Sequence, residues 1–432
     1  MQRKKITVAL VAAAVTSLAL TGCSSGGAQD GSTTVSYMTW ESNAMNKALD
    51  ATMKKFEKSS DITVKREAAP NADYAQKLAS LIMSKKAPDF FWCTTGQAQN
   101  LADEGLLYDW SSHLKGSGGL QAKNFSPGSL EMWRTESGKL SGIPTLANTY
   151  GFFYNKAAFD KAGLPVPKIG WTYDDMFNDI AKLKQLDPSS TPLVTQWQLL
   201  DSPQGISAYS VANGGKPLLD SSIGAKSIHA DATFREGAQR FAAAIAAGQM
   251  TNPDYDASNA TAAFTNGGIP LMFGGQWLQT LIAPNKPSFD WGYAPWPVGT
   301  KKSVQPIEAN GVCSPSTVKN PDAVWKTISY MDTTGFNDSM KQQPVAPIAY
   351  EPGSKGYYAA LDSGDAPSKS ISATARYELG TKTKFVTAFL DTWATKAAAV
   401  VTTSWNPALE GKKSLSAGID DTVTGIKRLM AK

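Results

Sequence analysis

Residues 33–68 read TTVSYMTWESNAMNKALDATMKKFEKSSDITVKREA, and the changes of period inside this stretch decide the fold class. "TTVSYMTW" predicts a strand ending near Trp40. Met45, Leu49, Met53 and Phe56 then recur at helical spacing behind Ser42 or Asn43 as the N-cap. "DITVKREA" returns to a strand. Short apolar runs alternating with amphipathic helices predict an α/β protein. The alternation continues with a helix marked by Tyr74, Leu78 and Leu81, the proline-led strand "APDFFWCTT", and a helix around Ala98 and Leu101 that closes at Gly105. A second series starts near residue 148. "GFFYN" is its strand, "KAAFDKAG" a short helix stopped by Gly163, and "WTYDDMFNDIAKL" carries Thr172 and Asp175 in capping-box spacing. Later helices carry Phe234, Ala238, Phe241 and Ile245, open at Asn320-Pro321, and end with Ile419, Val423, Ile426 and Met430 on one stripe.

The 432 residues, 42% hydrophobic and 18% charged, fit a globular chain with room for two or three domains of about 150 residues. The N-terminus reads separately. "MQRKK" is a basic segment and "ITVALVAAAVTSLAL" an apolar one, shorter than the ~20 residues of a membrane span. "LTGC" and the small, polar run "SSGGAQDGSTT" follow. This order resembles a bacterial lipoprotein signal over residues 1–22, with Cys23 lipidated and residues 23–33 as a tether. Losing Arg3, Lys4 and Lys5 with the signal lowers the net charge from +5 to +2, so the basic pI says nothing of nucleic acid. Cys93 and Cys313 are expected as buried free thiols, although export would also permit a disulfide.

Enzymatic constellations find little material. His113 and His229 are the only histidines, in unrelated contexts, which leaves nothing for a Ser–His–Asp triad or a multi-histidine metal site. No GxxxxGK[ST] loop occurs. A secreted glycoside hydrolase would need two facing carboxyl groups, and Asp174 and Asp175 are better explained as helix-start residues. That reading and a lipid-anchored polysaccharide adhesin stay as the alternatives.

Seven ordered segments carry a family resemblance: "FEKSSDITVKRE", "YAQKLASLIMSKKAPDFFWC", "LADEGLLYDWSSHL", "SGKLSGIPTLANTYGFFYNKAAFDKAGL", "WTYDDMFNDIAKL", "GIPLMFGGQW" and "FDWGYAPWPVG". Together they resemble extracellular solute-binding proteins of the carbohydrate-uptake ABC transporter type, related to maltodextrin-binding proteins. The resemblance runs from about residue 34 to the C-terminus. It implies a two-lobe periplasmic-binding-protein-like fold of type II, with discontinuous lobes joined by hinge strands. One lobe would hold residues 34–147 and 305–344, the other 148–304 and 345–432. It further implies a monomer that closes on a carbohydrate, needs no metal or cofactor, does no catalysis, and delivers its ligand to membrane permease subunits.

Aromatic rings suit the C–H faces of a sugar, and amides and carboxylates suit its hydroxyls. The chain has 12 Trp, 14 Tyr and 16 Phe to choose from. Trp40 and Glu41 sit where the first strand hands over to a helix. Trp92 matches a cleft tryptophan of maltodextrin-type relatives, but Cys93 and two threonines follow where those relatives place more polar contacts. Asn148 stands where they have a carboxylate, and Asn310 with Gly311 where they present a glycine-rich backbone. Trp277 matches a stacking tryptophan, with Gly274 and Gly275 expected to let ligand approach and Gln276 to read hydroxyls. Trp197, Tyr350 and Trp405 stay unassigned, while Trp171, Trp291 and Trp296 are expected to serve packing.

Overall fold

The computed structural model describes residues 33–69, 73–116 and 118–431. The expected signal 1–22, Cys23 and the tether as far as residue 32 lie outside the described residues. Thr33, read as the end of the tether, already opens the first strand.

Ten strands are described: β1 (Thr33–Met38), β2 (Ile62–Glu67), β3 (Phe90–Cys93), β4 (Ile143–Asn148), β5 (Tyr150–Asn155), β6 (Leu193–Thr195), β7 (Leu271–Gly275), β8 (Trp291–Pro295), β9 (Gln305–Cys313) and β10 (Lys384–Val386). One sheet runs β10-β9-β3-β1-β2, with β4 also paired to β9. In it β1 is parallel to β2 and β3, and β9 antiparallel to β3 and β4. The other runs β6-β7-β5-β8, with β6 parallel to β7 and β5 antiparallel to both its neighbours.

Local chemistry explains the elements. Met45, Leu49, Met53 and Phe56 form the buried stripe of helix Asn43–Ser59, and Ser42 caps it by accepting from the Met45 backbone. Thr172 and Asp175 close a reciprocal capping box, and Asn320 caps a helix that begins at Pro321. Every residue of β3, β4 and β7 is buried, which is why these strands read as continuous apolar or small-residue runs. Successive residues of β5 point to opposite faces, so Phe152 joins one buried cluster and Phe153 the other.

The chain passes from the first sheet to the second through one residue, Thr149, between β4 and β5. It returns between β8 and β9. Residues just after the third crossing, expected near 344, pair with β4. Ala349 N donates to Thr145 O at 2.6 Å and Ala147 N to Pro347 O at 2.8 Å, so this stretch covers the edge of β4 that β9 leaves open. Helix Lys355–Asp362 packs on Phe336–Met340, and helix Ala366–Gly380 lies on β8.

The expectation of free thiols is corrected, because Cys93 and Cys313 form a disulfide. They lie 220 residues apart in sequence, but β3 and β9 pair and bring their Cα atoms to 6.0 Å, within bonding range. Among the described residues no helix is long and apolar enough to cross a membrane.

Candidate functional site

The parallel strands of each sheet deliver their carboxyl ends to one place. Beyond β1 comes Trp40, beyond β3 Thr94, beyond β6 Trp197 and beyond β7 Trp277, and all four border one cleft of about 460 Å³. Gln97 joins Thr94 from the following helix, and Tyr74 and Ala75 join from helix Tyr74–Met83. Tyr150 opens β5 on the opposite side. Asn148, Glu308 and Asn310, from paired strands β4 and β9, supply polar groups between the two walls.

Aromatic contacts fix both walls. The Trp197 and Trp277 rings stack with centroids 5.5 Å apart and planes 7° apart. Tyr150 meets both edge-on, at 5.9 and 5.4 Å. Trp40 meets Tyr74 edge-on at 5.3 Å, and the Tyr74 hydroxyl donates to Trp92 O at 2.6 Å. The glycines before Trp277 serve this packing. A Cβ on Gly275 would lie 2.1 Å from the Trp277 ring, and one on Gly274 2.5 Å from the tip of Leu278. The space expected for ligand at this turn is therefore filled by the indole itself.

Of the residues singled out in the sequence, Trp40, Asn148, Trp277 and Asn310 come together in the cleft. Trp92, Glu41 and Gln276 do not line it. Trp92 is 1% exposed, inside a strand with a neighbour on each side, and its ring packs among Tyr37, Phe90 and Phe336. Its Nε1 donates to Glu41 Oε1 at 3.1 Å, which engages the carboxylate expected to read hydroxyls. Burial pushes the Glu41 carboxyl up to about 7, against the bond from Trp92. Gln276 is fully buried, and its Oε1 accepts from Thr149 N at 2.8 Å and Thr149 Oγ1 at 3.1 Å. It holds the residue that joins the sheets. Gly311 faces the Ile143 carbonyl and the Trp133 ring where a side chain would go, which leaves it to packing as well. Trp405 is buried with its Nε1 on Asp201 O, Tyr350 is buried against Phe125, and Trp171 and Trp296 are core residues.

Several cleft residues escaped the sequence reading. "TQW" at 195–197 parallels "GQW" at 275–277, a signal that pointed to Trp197. Thr94 and Gln97 form a capping box, in which the Gln97 amide oxygen accepts from Thr94 N and its amide nitrogen takes no part. Glu308 had a weaker signal, as an acid inside the otherwise uncharged strand "QPIEANGVC". Its carboxylate accepts from the Tyr150 hydroxyl, from Thr387 Oγ1 at 3.4 Å and from the Asn148 side chain. Burial outweighs these bonds and pushes its carboxyl up to about 7. Glu308 also borders a second chamber of about 290 Å³, with Val386, Thr387 and Ala388 on its far side. The Asn310 Oδ1 is buried and accepts no hydrogen bond.

A model of the bacterial extracellular solute-binding protein family matches residues 51–360. The chain belongs to this family. The solute-binding protein is 24% identical over 405 residues to an uncharacterized ABC transporter extracellular-binding protein of Pyrococcus horikoshii, covering 84% of this chain and 86% of that one. Its fold is similar to an ABC substrate-binding protein of Listeria monocytogenes in complex with cycloalternan, with a TM-score of 0.75 and 19% identity over 93% of this chain and 100% of that one. It is also similar to a cyclic alpha-maltosyl-1,6-maltose binding protein of Arthrobacter globiformis, with a TM-score of 0.74 and 17% identity over 93% and 99%. The solute-binding protein therefore has the two-lobe α/β fold of its family, with a sheet in each lobe. Among its described residues no group of three or more His, Cys, Asp or Glu is placed to hold a metal ion.

Proposed function

We propose that this solute-binding protein captures a carbohydrate, an oligosaccharide, in the cleft between its sheets and delivers it to an ABC transporter permease. The observation that carries the reading is a cleft with an aromatic wall from each sheet, Trp40 with Tyr74 facing Tyr150, Trp197 and Trp277, and with amides between them. Such a surface covers sugar ring faces and pairs sugar hydroxyls. The buried Asn310 Oδ1 is an acceptor that a ligand hydroxyl would satisfy. Chambers of about 460 and 290 Å³ sharing Glu308 suit more than one ring. The saccharide ligands named for two fold neighbours support the same class.

A ligand touching both walls binds the closed form better than the open one, and that difference drives closure. In this reading Cys23 is lipidated and holds a monomer at the outer face of the membrane, and the lobes are joined at the crossing through Thr149. A thermal-shift screen over mono- and oligosaccharides tests the ligand class, because binding to the native state raises the melting temperature. At least one sugar is expected to raise it, and Trp277→Ala is expected to abolish that rise. A full rise in Trp277→Ala would remove Trp277 from the site.

A further inference from the structure

Glu308 is the one charged side chain bordering either chamber among the described residues. Among the described residues its hydrogen-bond partners include no cation. Asn148 faces it from β4, Tyr150 from β5, Thr387 from the segment after β10, and Thr94 and Gln97 from the helix start. On helix Ala366–Gly380, which packs on β9, Arg376 pairs with Asp362 and Lys369 lies in the first turn. Glu378 accepts from Tyr150 N and Trp296 N, and Lys384 donates to the Glu378 carbonyl. Asp103, at the far end of helix Thr95–Asp103, borders a different pocket.

We propose that Glu308 sorts ligands by charge, preferring an amine-bearing sugar to its neutral counterpart and rejecting an acidic one. This rests on the carbohydrate reading above. A part-buried carboxylate without a cation carries a desolvation cost, and a ligand ammonium would supply the missing charge. The rings of Trp197, Trp277 and Tyr150 add to the attraction, since aromatic faces favour cations. Both hydroxyl bonds to Glu308 reach Oε2, and a carboxylate can accept at two oxygens, so acceptor capacity remains for a ligand N–H. An acidic sugar would set a second anion beside Glu308. The proton equilibrium agrees: burial holds the Glu308 carboxyl near 7, and a bound ammonium would draw it toward the ionised form.

Glucose, glucosamine and glucuronic acid, with their β-1,4-linked trimers, form a matched series of probes for calorimetric titration. The wild type is expected to bind the amine form about tenfold more tightly than the neutral form and the acid form about tenfold more weakly. Glu308→Gln is expected to bring all three within about threefold. A second measurement needs no variant. At pH 5, where Glu308 is protonated and glucosamine stays charged, the wild type should lose the amine preference. Equal binding of the three forms, an order that survives Glu308→Gln, or an amine preference unchanged at pH 5 would overturn the charge-sorting role and leave the carbohydrate reading standing. No binding by any member would overturn the charge-sorting role for glucose-type sugars, while the carbohydrate reading falls only if the whole thermal-shift panel gives no rise.

Discussion

Trp92 and Trp277 belong to strand ends in the two halves of the molecule, β3 and β7, and end in opposite surroundings. Trp92 is the third of four residues in a strand flanked by β1 and β9, so both its strand edges and its ring are covered. Trp277 lies two residues beyond Gly275, in a turn where the sheet no longer covers it. Trp40 stands two residues beyond Met38 of β1, and Trp197 two residues beyond Thr195 of β6. All three cleft tryptophans thus share one offset past a parallel strand, and the tryptophan inside a strand does not join them. Position relative to the strand's carboxyl end separates a cleft wall from a core anchor, because hydrogen-bonded neighbours bury only what lies within the pairing.

The largest expected effect contrasts the two tryptophans directly. Trp92→Ala should lower the unfolding free energy by about 3–5 kcal/mol in a denaturant titration, since it empties a filled interior site. Trp277→Ala should cost less than half as much while removing ligand binding. Equal destabilisation by the two would erase the distinction. Next comes Gly275→Ala, whose Cβ would meet the Trp277 ring at 2.1 Å. Displacing the indole should cost about 1–3 kcal/mol and weaken binding in the same protein. Gly274→Ala meets only the flexible end of Leu278 and should be milder, so a reversed order would break this account of the turn.

The last contrast is electrostatic and concerns the carboxylates on either side of the comparison. Glu41 beside Trp92 and Glu308 in the cleft are both pushed up to about 7 from 4.5. Between those values the folded state holds a proton that the unfolded chain has released, so each group's contribution to stability declines as pH rises from about 4.5 to 7. Relative to Glu308→Gln, the wild type should therefore lose melting temperature over that interval and level off above it. A constant difference between the two proteins from pH 4.5 to 8 would show that Glu308 titrates alike in both states.

Much of the fold was legible because its signals are short-range. The stripe from Met45 to Phe56, the Thr172–Asp175 box and the Asn320-Pro321 start each depend on residues within a turn or a few turns of one helix. The site was legible only in part. Trp40, Asn148, Trp277 and Asn310 reach the cleft, while Gln276 turns inward to hold Thr149 and Glu41 is occupied by Trp92. Residues near Ile348, beyond the expected third crossing, pair with the open edge of β4, and an edge is a property of the assembled sheet.

The sequence by itself determined the α/β class, the helix caps and the places where strands give way to tryptophan-bearing turns, because period and capping are local. Tertiary structure alone decided that Cys93 finds Cys313 across 220 residues, that Trp92 is covered, and that Glu308 meets Tyr150 between two chambers. Burial, pairing and charge isolation depend on what packs in from distant parts of the chain, and no window of neighbouring residues contains that information.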